Sequence, residues 1–389
     1  MFVIVILLGF ITYFFLNMLS GPFPLPVLGN VHQIGYKLLI EKKTFDGVAL
    51  HALCISRIHM LQEYGPVHTF WFGPLPTVNI CDYSTAVDAM TSAPYISDGR
   101  GIIVTNGQPW VEQRRFALHT LRNFGLGRNI IEERIMYEFE IKGPSRKRDI
   151  ANGTHVLQGE GDDFVDAFLI QMKKDRESGK LLASDETLLM SLLDLWFAGQ
   201  ETTITTLEWA FTFLLLNPQV ISRVEEELLA LTKGRRPLSI ADRPNTPFYN
   251  ATLTEIHRCA ILVPMNLWRE TSEDTRVGSY LIPKGTAITA QISLIMTDEK
   301  HFKKRDEFNP DRYFNGNKLE QRVIAFGLGK RSCLGESLAQ AELYLVIANF
   351  LLRYKISADP LHMPSMKATH EMGTVRRPRP YHICFERRQ

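Results

Sequence analysis

This sequence predicts a mainly α-helical fold with a small β portion, and three observations carry that reading. Apolar residues recur at helical spacing over most of positions 110–217, and the run 184–217 is apolar almost all round. Strand-like alternation is confined to three short stretches, around 66–80, 275–282 and 381–385. The 389 residues are 45% hydrophobic, enough for one large domain or two intimate ones. Lys and Arg number 44 against 42 Asp and Glu, a net charge of +2, so nothing in the balance asks for nucleic acid or an acidic substrate. The five cysteines (Cys54, Cys81, Cys259, Cys333, Cys384) are scattered, odd in number and without C-x-x-C spacing. A disulfide framework or zinc site does not fit that pattern, and a reducing compartment does.

Taken in order, residues 1–19 form an uncharged apolar run interrupted by Thr12 and Asn17. As a helix the run spans roughly 28 Å, near the hydrocarbon thickness of a bilayer. It predicts a transmembrane signal anchor over 1–20. The competing reading, a cleaved signal peptide, wants a basic n-region and a small-x-small cleavage site, and neither is evident. Lys37, Lys42 and Lys43 follow the run and no basic side chain precedes it, which places the remainder on the cytosolic side. Pro22, Pro24 and Pro26 then enforce extended backbone, so 21–30 reads as a stiff hinge and 31–389 as the globular domain. On the cytosolic side the sequons at Asn152 and Asn250 stay unused.

Val67, Thr69 and Trp71, followed by Thr77, Val78 and Ile80, predict a β-hairpin. Trp110 and Arg114 are four apart on one helical face that continues through Phe116, Leu118 and Leu121. That face could offer an indole N–H and a guanidinium to one carboxylate; the residues alone equally admit a surface arginine beside a core tryptophan. Ser184 is placed to cap the long helix, with Asp185 and Glu186 in its first turn and Asn217-Pro218 stopping it. Inside it lies Ala198-Gly199-Gln200-Glu201-Thr202-Thr203. A mid-helix glycine costs about 1 kcal/mol relative to alanine, and a flat cofactor lying against the helix would supply the reason. Thr202 can bond the carbonyl of Ala198, opening the helix locally and leaving room for water or dioxygen. Glu201 beside it makes an acid–alcohol pair able to relay protons. Glu-Thr on a helix also fits an exposed acid and a stabilised turn. Glu255 and Arg258, three apart, read plainly as a surface pair contributing a few tenths of a kcal/mol.

The decapeptide Phe326-Gly327-Leu328-Gly329-Lys330-Arg331-Ser332-Cys333-Leu334-Gly335 is the most informative stretch. It sets a cysteine in a glycine-rich loop, with a helical pattern starting behind it (Leu338, Ala341, Leu345, Val346, Phe350). A thiolate there can be an axial ligand to haem iron. Gly329 and Gly335 would let the backbone approach the macrocycle and turn sharply. Nearby amides and the positive end of the following helix would stabilise the anion. Arg331 offers a fixed fork of donors to a haem propionate. A lone cysteine is more often a small buried hydrophobe; the whole decapeptide argues for the ligand.

The same ten residues match F-x-x-G-x-R-x-C-x-G at every fixed position, and the chain thereby resembles the cytochrome P450 superfamily, in its microsomal, xenobiotic- or fatty-acid-metabolising form. The resemblance extends to the A/G-G-x-D/E-T-T motif at 198–203 and to 101–125 around Trp110 and Arg114. It includes the E-x-x-R pair Glu255 and Arg258, with Arg312 of Asn309-Pro310-Asp311-Arg312-Tyr313-Phe314 as third member of a buried structural cluster. At 263–271 it matches Arg269, although Trp268 replaces the usual proline; Val263 and Pro264 would face substrate. A helix through Phe164, Phe168 and Met172 resembles the one that shortly precedes the oxygen-side helix.

What the resemblance implies is a haem-thiolate fold holding haem b, with Cys333 on iron. Trp110, Arg114, Arg269 and Arg331 would hold propionates, within the setting of Phe326, Gly329 and Gly335, and Glu201 and Thr202 would manage the oxygen protons. Electrons would come from NADPH through a separate reductase, or cytochrome b5, at the endoplasmic reticulum membrane. Lys303, Lys304, Arg305 and Lys330 would form the docking patch, or are simply solvated surface. The implied activity is insertion of one oxygen atom from dioxygen into a small lipophilic substrate. The likeness is dense over 66–141 and from 162 onward, but breaks at 142–161, where relatives carry several helices, including the pair that roofs the substrate cavity. A smaller loss falls at 90–99, and 49–60 reads as extra or replaced sequence. The alternative expectation is therefore a haem-binding chain that is uncoupled and releases hydrogen peroxide, or one that fails to retain haem.

Overall fold

Alternating Val67, Thr69 and Trp71 lie on β1 (Val67–Phe72), which pairs antiparallel with β2 (Leu75–Ile80), as the hairpin reading expects. The computed structural model describes residues 61–92 apart from 73–74, then 102–103, 105, 107–123, 159, 161, 163–178, 184–369 and 375–388. The expected anchor, the proline hinge and the stretch 49–60 lie outside these, as does 142–161 apart from Gly159 and Gly161. Among the described residues no helix is long and apolar enough to cross a membrane.

The β portion is small because strand-like alternation is confined to short stretches. β3 (Arg269–Glu270) and β6 (Ala287–Ala290) complete a sheet of order β1-β2-β6-β3, in which β2 and β6 run parallel. Val67, Val78, Ile80 and Ile288 bury one face of this sheet against Ala86, Ala89 and Met90 of α1 (Tyr83–Ser92). β4 (Thr275–Val277) and β5 (Tyr280–Ile282) form a separate hairpin whose turn uses Gly278 at φ +56°. β7 (Tyr354–Ala358) and β8 (Ile383–Arg387) pair antiparallel at the end of the chain.

The helices follow the apolar period. α2 (Gly107–Asn123) starts three residues before Trp110, and α3 (Phe164–Glu177) is capped by Asp163, which accepts from the Asp166 N–H at 2.9 Å. Ser184 caps α4 (Asp185–Leu216), its hydroxyl accepting from the Thr187 N–H at 3.1 Å. Pro218 ends α4 because it cannot donate to the ladder, and it opens α5 (Pro218–Thr232) instead. α6 (Pro247–Ala260), the single turn α7 (Ile292–Met296) and α8 (Glu336–Arg353) follow.

The main core gathers around the C-terminal half of α4. Trp209, Phe213 and Leu214 pack with Val224 and Leu228 of α5, Tyr249 of α6, and Tyr344 and Ile347 of α8. α4 is apolar almost all round, as a central helix would be, yet part of it faces solvent. Leu189, Leu193, Trp196, Phe197 and Ile204 are exposed, Trp196 by 63% and Phe197 by 69%. Burying one such side chain contributes about 1.5–3 kcal/mol. Leaving five in water forgoes an amount comparable with the net stability of a whole domain, about 5–15 kcal/mol.

Candidate active site

The cysteine loop is wound on its own backbone. The Cys333 N–H donates to the Phe326 carbonyl at 2.8 Å, the Ser332 N–H to Gly329 at 3.0 Å, and the Gly327 N–H to Ile324 at 2.9 Å. Those turns require left-handed backbone at Gly327 (φ +76°) and Gly329 (φ +71°). Gly335 does something different from the turning role expected of it. Its φ is −91°, it precedes α8, and a Cβ built there would meet nothing within 4 Å. What its missing side chain leaves is room on the wall of a cavity.

That cavity has a volume of about 700 Å³, in the range of a site for a cofactor or small ligand. Cys333 opens onto it from the loop, and Gly199, Thr202, Thr203 and Thr206 line it from α4. Burial by surrounding protein pushes the Cys333 thiol up; the Gly335 N–H and the Arg114 guanidinium pull the other way, while Glu336 adds to the rise. A metal cation at the sulfur would overcome that burial outright and hold the thiolate.

Basic and indole groups border the same space. Arg331 lies over the Trp110 ring, 3.8 Å from its centroid, and donates to the carbonyls of Ile102 and Thr105. Arg114 donates to the Ser332 carbonyl at 2.9 Å and sits 5.7 Å from the Trp110 centroid. Arg269, on β3, is 3% exposed and donates to the carbonyls of Met90 and Leu328. Burial pulls its guanidinium down to about 10. Burial also lowers Arg114, against the opposing effect of Cys333. Among the described residues neither Arg114 nor Arg269 meets a carboxylate, and the buried Trp110 Nε1 finds no acceptor. Buried cations without anions are costly, so this rim is set for an acidic ligand.

The helix motif divides. Thr202 donates its hydroxyl to the Ala198 carbonyl at 2.6 Å, as expected, yet α4 runs on unbroken instead of opening. Thr206 repeats the bond one turn later, to Thr202 at 2.7 Å. Gly199 faces the cavity, and a Cβ there would meet nothing within 4 Å. Glu201 is not on the cavity wall; its carboxylate is gripped by Arg377 from the C-terminal segment. Of the pair expected to face substrate, Val263 lines the cavity, whereas Pro264 is buried behind it and its carbonyl accepts from Ser293.

Glu255 and Arg258 are fully buried, which corrects the plain surface-pair reading. Arg258 donates to both Glu255 oxygens at 2.8 Å, Arg312 to Oε1 at 2.9 Å and Tyr313 to Oε2 at 2.8 Å. The Asn309 N–H adds a further bond at 3.0 Å. The basic stretch expected to dock a reductase is partly self-neutralised, Lys304 pairing with Glu307 and Arg305 with Glu299 and Asp306.

Two cavity residues escaped the sequence reading. Asp194 accepts from the N–H groups of Ile102 at 2.6 Å and Ile103 at 3.0 Å, tying α4 to the segment that also receives Arg331. His257 packs edge-on to Phe326 at 5.0 Å and is pushed down to about 4, first by burial and then by the Arg243 charge. Its position between Glu255 and Arg258 was the available signal.

Residues 144–385 match the family model described as Cytochrome P450. The chain belongs to the cytochrome P450 family. "Probable cytochrome P450 cyp-35D1" of Caenorhabditis elegans is 32% identical over an alignment covering 86% of this chain and 88% of that protein. "Cytochrome P450 2C8" of Homo sapiens is 30% identical, covering 94% and 93% respectively. "Cytochrome P450 2B2" of Rattus norvegicus is 27% identical, covering 96% and 94%. The first two alignments run over 449 and 471 positions, more than the 389 residues present, so those P450s carry stretches with no counterpart here. This P450 is a monooxygenase whose family uses haem and electrons from a redox partner. The residues present fit that group. Among the described residues Trp110 Nε1 has no acceptor and Arg269 no acid, which suits its propionates, and Gly199 and Gly335 leave space on the cavity wall.

Proposed function

We propose that this P450 inserts one atom of dioxygen into a small lipophilic substrate held above Cys333, using haem b and electrons from NADPH passed on by a separate reductase, with cytochrome b5 as a second donor. The observation that carries the reading is one cavity lined both by Cys333 and by Gly199 and Thr202 of α4. Cys333 would ligate iron as the thiolate, with the Gly335 N–H on its sulfur. Trp110, Arg114, Arg269 and Arg331 would bind the propionates, and Phe326, Gly329 and Gly335 would shape the ligand loop. When bound, the haem supplies oxygen activation and insertion.

The protein's own contribution is orientation and proton handling. Thr202 would hold a proton at the cavity wall, its hydroxyl fixed by the Ala198 carbonyl. Glu201, behind it and engaged with Arg377, would exchange protons with solvent rather than reach the substrate directly. Glu255, Arg258 and Arg312 would act structurally, fixing α6 against the loop that leads to Cys333. Ile102, Ile103, Leu195 and Val263 on the wall support an apolar substrate. The apolar run 1–20 would anchor the chain in the endoplasmic reticulum membrane, with the hinge 21–30 leading to a cytosolic domain over 31–389.

One observation favours a second reading, an uncoupled haem protein. Trp196, on the cavity wall, stands exposed to solvent where exclusion of water matters most. The test is NADPH consumption with the reductase and a panel of lipophilic compounds. Oxygenated product in step with NADPH supports monooxygenation; hydrogen peroxide in its place supports the second reading.

A further inference from the structure

Outside the cavity, three metal-ligand side chains meet at the end of the C-terminal hairpin. Asp359 directly follows β7 and His382 directly precedes β8, and the pairing of Ala358 with Ile383 brings them side by side. His362 comes from the turn after Asp359. The backbone frame is closed by bonds from the His362 N–H to Asp359 at 3.1 Å and from the His382 N–H to His362 at 3.2 Å.

The carboxylate and the two imidazoles are already convergent. Nδ1 of His362 and Nδ1 of His382 both face the same Asp359 oxygen, Oδ2, at 2.8 and 3.3 Å. The other oxygen, Oδ1, is pinned by the Leu361 N–H at 3.0 Å. The two rings lie 3.9 Å apart at 35°, so neither can turn independently. One donor atom from each residue falls within 4.8 Å of the others. Around a tetrahedral zinc ion with bonds near 2.0–2.1 Å, neighbouring donor atoms stand roughly 3.3–3.5 Å apart, and the two Asp359–histidine distances of 2.8 and 3.3 Å already lie near that spacing.

We propose that Asp359, His362 and His382 form a surface site for a zinc ion, with water in the fourth position. Two imidazoles and one carboxylate make a borderline N/O donor set that suits zinc. Calcium and magnesium demand about six oxygens and are poorly served here. The Leu361 amide on the far carboxylate oxygen provides the outer support that orients a ligating carboxylate. The site uses no cysteine, which is why cysteine spacing excluded zinc from the sequence; only the β7–β8 register unites positions 359 and 382. A bound ion would clamp the two ends of the segment that carries Arg377 to Glu201.

The test is calorimetric titration of zinc chloride into the full-length, haem-loaded protein after chelator treatment, at about pH 7.5, where neutral imidazoles can ligate. The expected result is one tight equivalent, a higher melting temperature with zinc, and no response to magnesium. The double variant His362→Gln/His382→Gln should weaken zinc binding by more than about tenfold. Both side chains are more than half exposed, 52% and 64%, so its zinc-free melt should match the parent. Asp359→Asn serves as an independent second variant. Absence of a tight equivalent in the parent overturns the proposal, as does unchanged affinity in the double variant or in Asp359→Asn.

Discussion

Arg377 donates two hydrogen bonds to Glu201, Nε to Oε1 at 2.8 Å and Nη2 to Oε2 at 2.7 Å, joining the C-terminal segment to the middle of α4. The pair is partly solvated, with side chains 54% and 39% exposed. Its contribution to stability should therefore be small, about 0–1 kcal/mol. Arg377→Ala is expected to shift the melting temperature by no more than a few degrees. Glu201→Gln should instead raise the share of NADPH that ends as hydrogen peroxide. A large stability loss in Arg377→Ala would assign the pair a structural role.

The Glu255 cluster is the opposite case, because its carboxylate and both guanidiniums are out of water. Glu255→Ala leaves two buried cations unpaired and should cost about 3–5 kcal/mol in denaturant unfolding. A loss under about 1 kcal/mol would show that water or rearrangement compensates.

Trp110 Nε1 is buried without an acceptor among the described residues. If it serves a propionate, Trp110→Phe removes one bond to a charged group, about 1.5–3 kcal/mol, while nearly preserving ring packing. Haem transfer to an excess of apomyoglobin should then speed up by about tenfold or more. An unchanged rate would leave the indole a packing residue only.

His257 gives a pH dependence. Its folded pKa, about 4, lies below the ordinary 6.5, so the fold holds it neutral and protonation favours the unfolded chain. The stability it protects is present above about pH 6.5 and is lost as pH falls toward 4, at most about 3 kcal/mol. His257→Gln should flatten that part of the curve measured by urea unfolding between these pH values; an identical slope would contradict it.

Legibility in the sequence followed the range of the interactions. The turns of the cysteine loop, the Ser184 cap and the Thr202 bond to Ala198 are local, and the residues spell them out. The Glu201–Arg377 pair spans a sequence separation of 176 and has no local signal. Arg269 could be picked out by pattern, but its carbonyl partners on α1 and in the cysteine loop depend on how the sheet docks. The apolar period of α4 announced a buried helix without saying which neighbours cover each half. His257 was passed over because Glu255 and Arg258 on either side explained the motif.

The central claim is that Cys333 binds haem iron as a thiolate in this shortened chain. The most direct test is the difference spectrum of the reduced, carbon-monoxide-bound protein, recorded for the parent and for Cys333→Ala. A strongly red-shifted Soret band in the parent that vanishes in Cys333→Ala is the predicted result. A band at the position of histidine-ligated or free haem in the parent, or no haem at all, would contradict it.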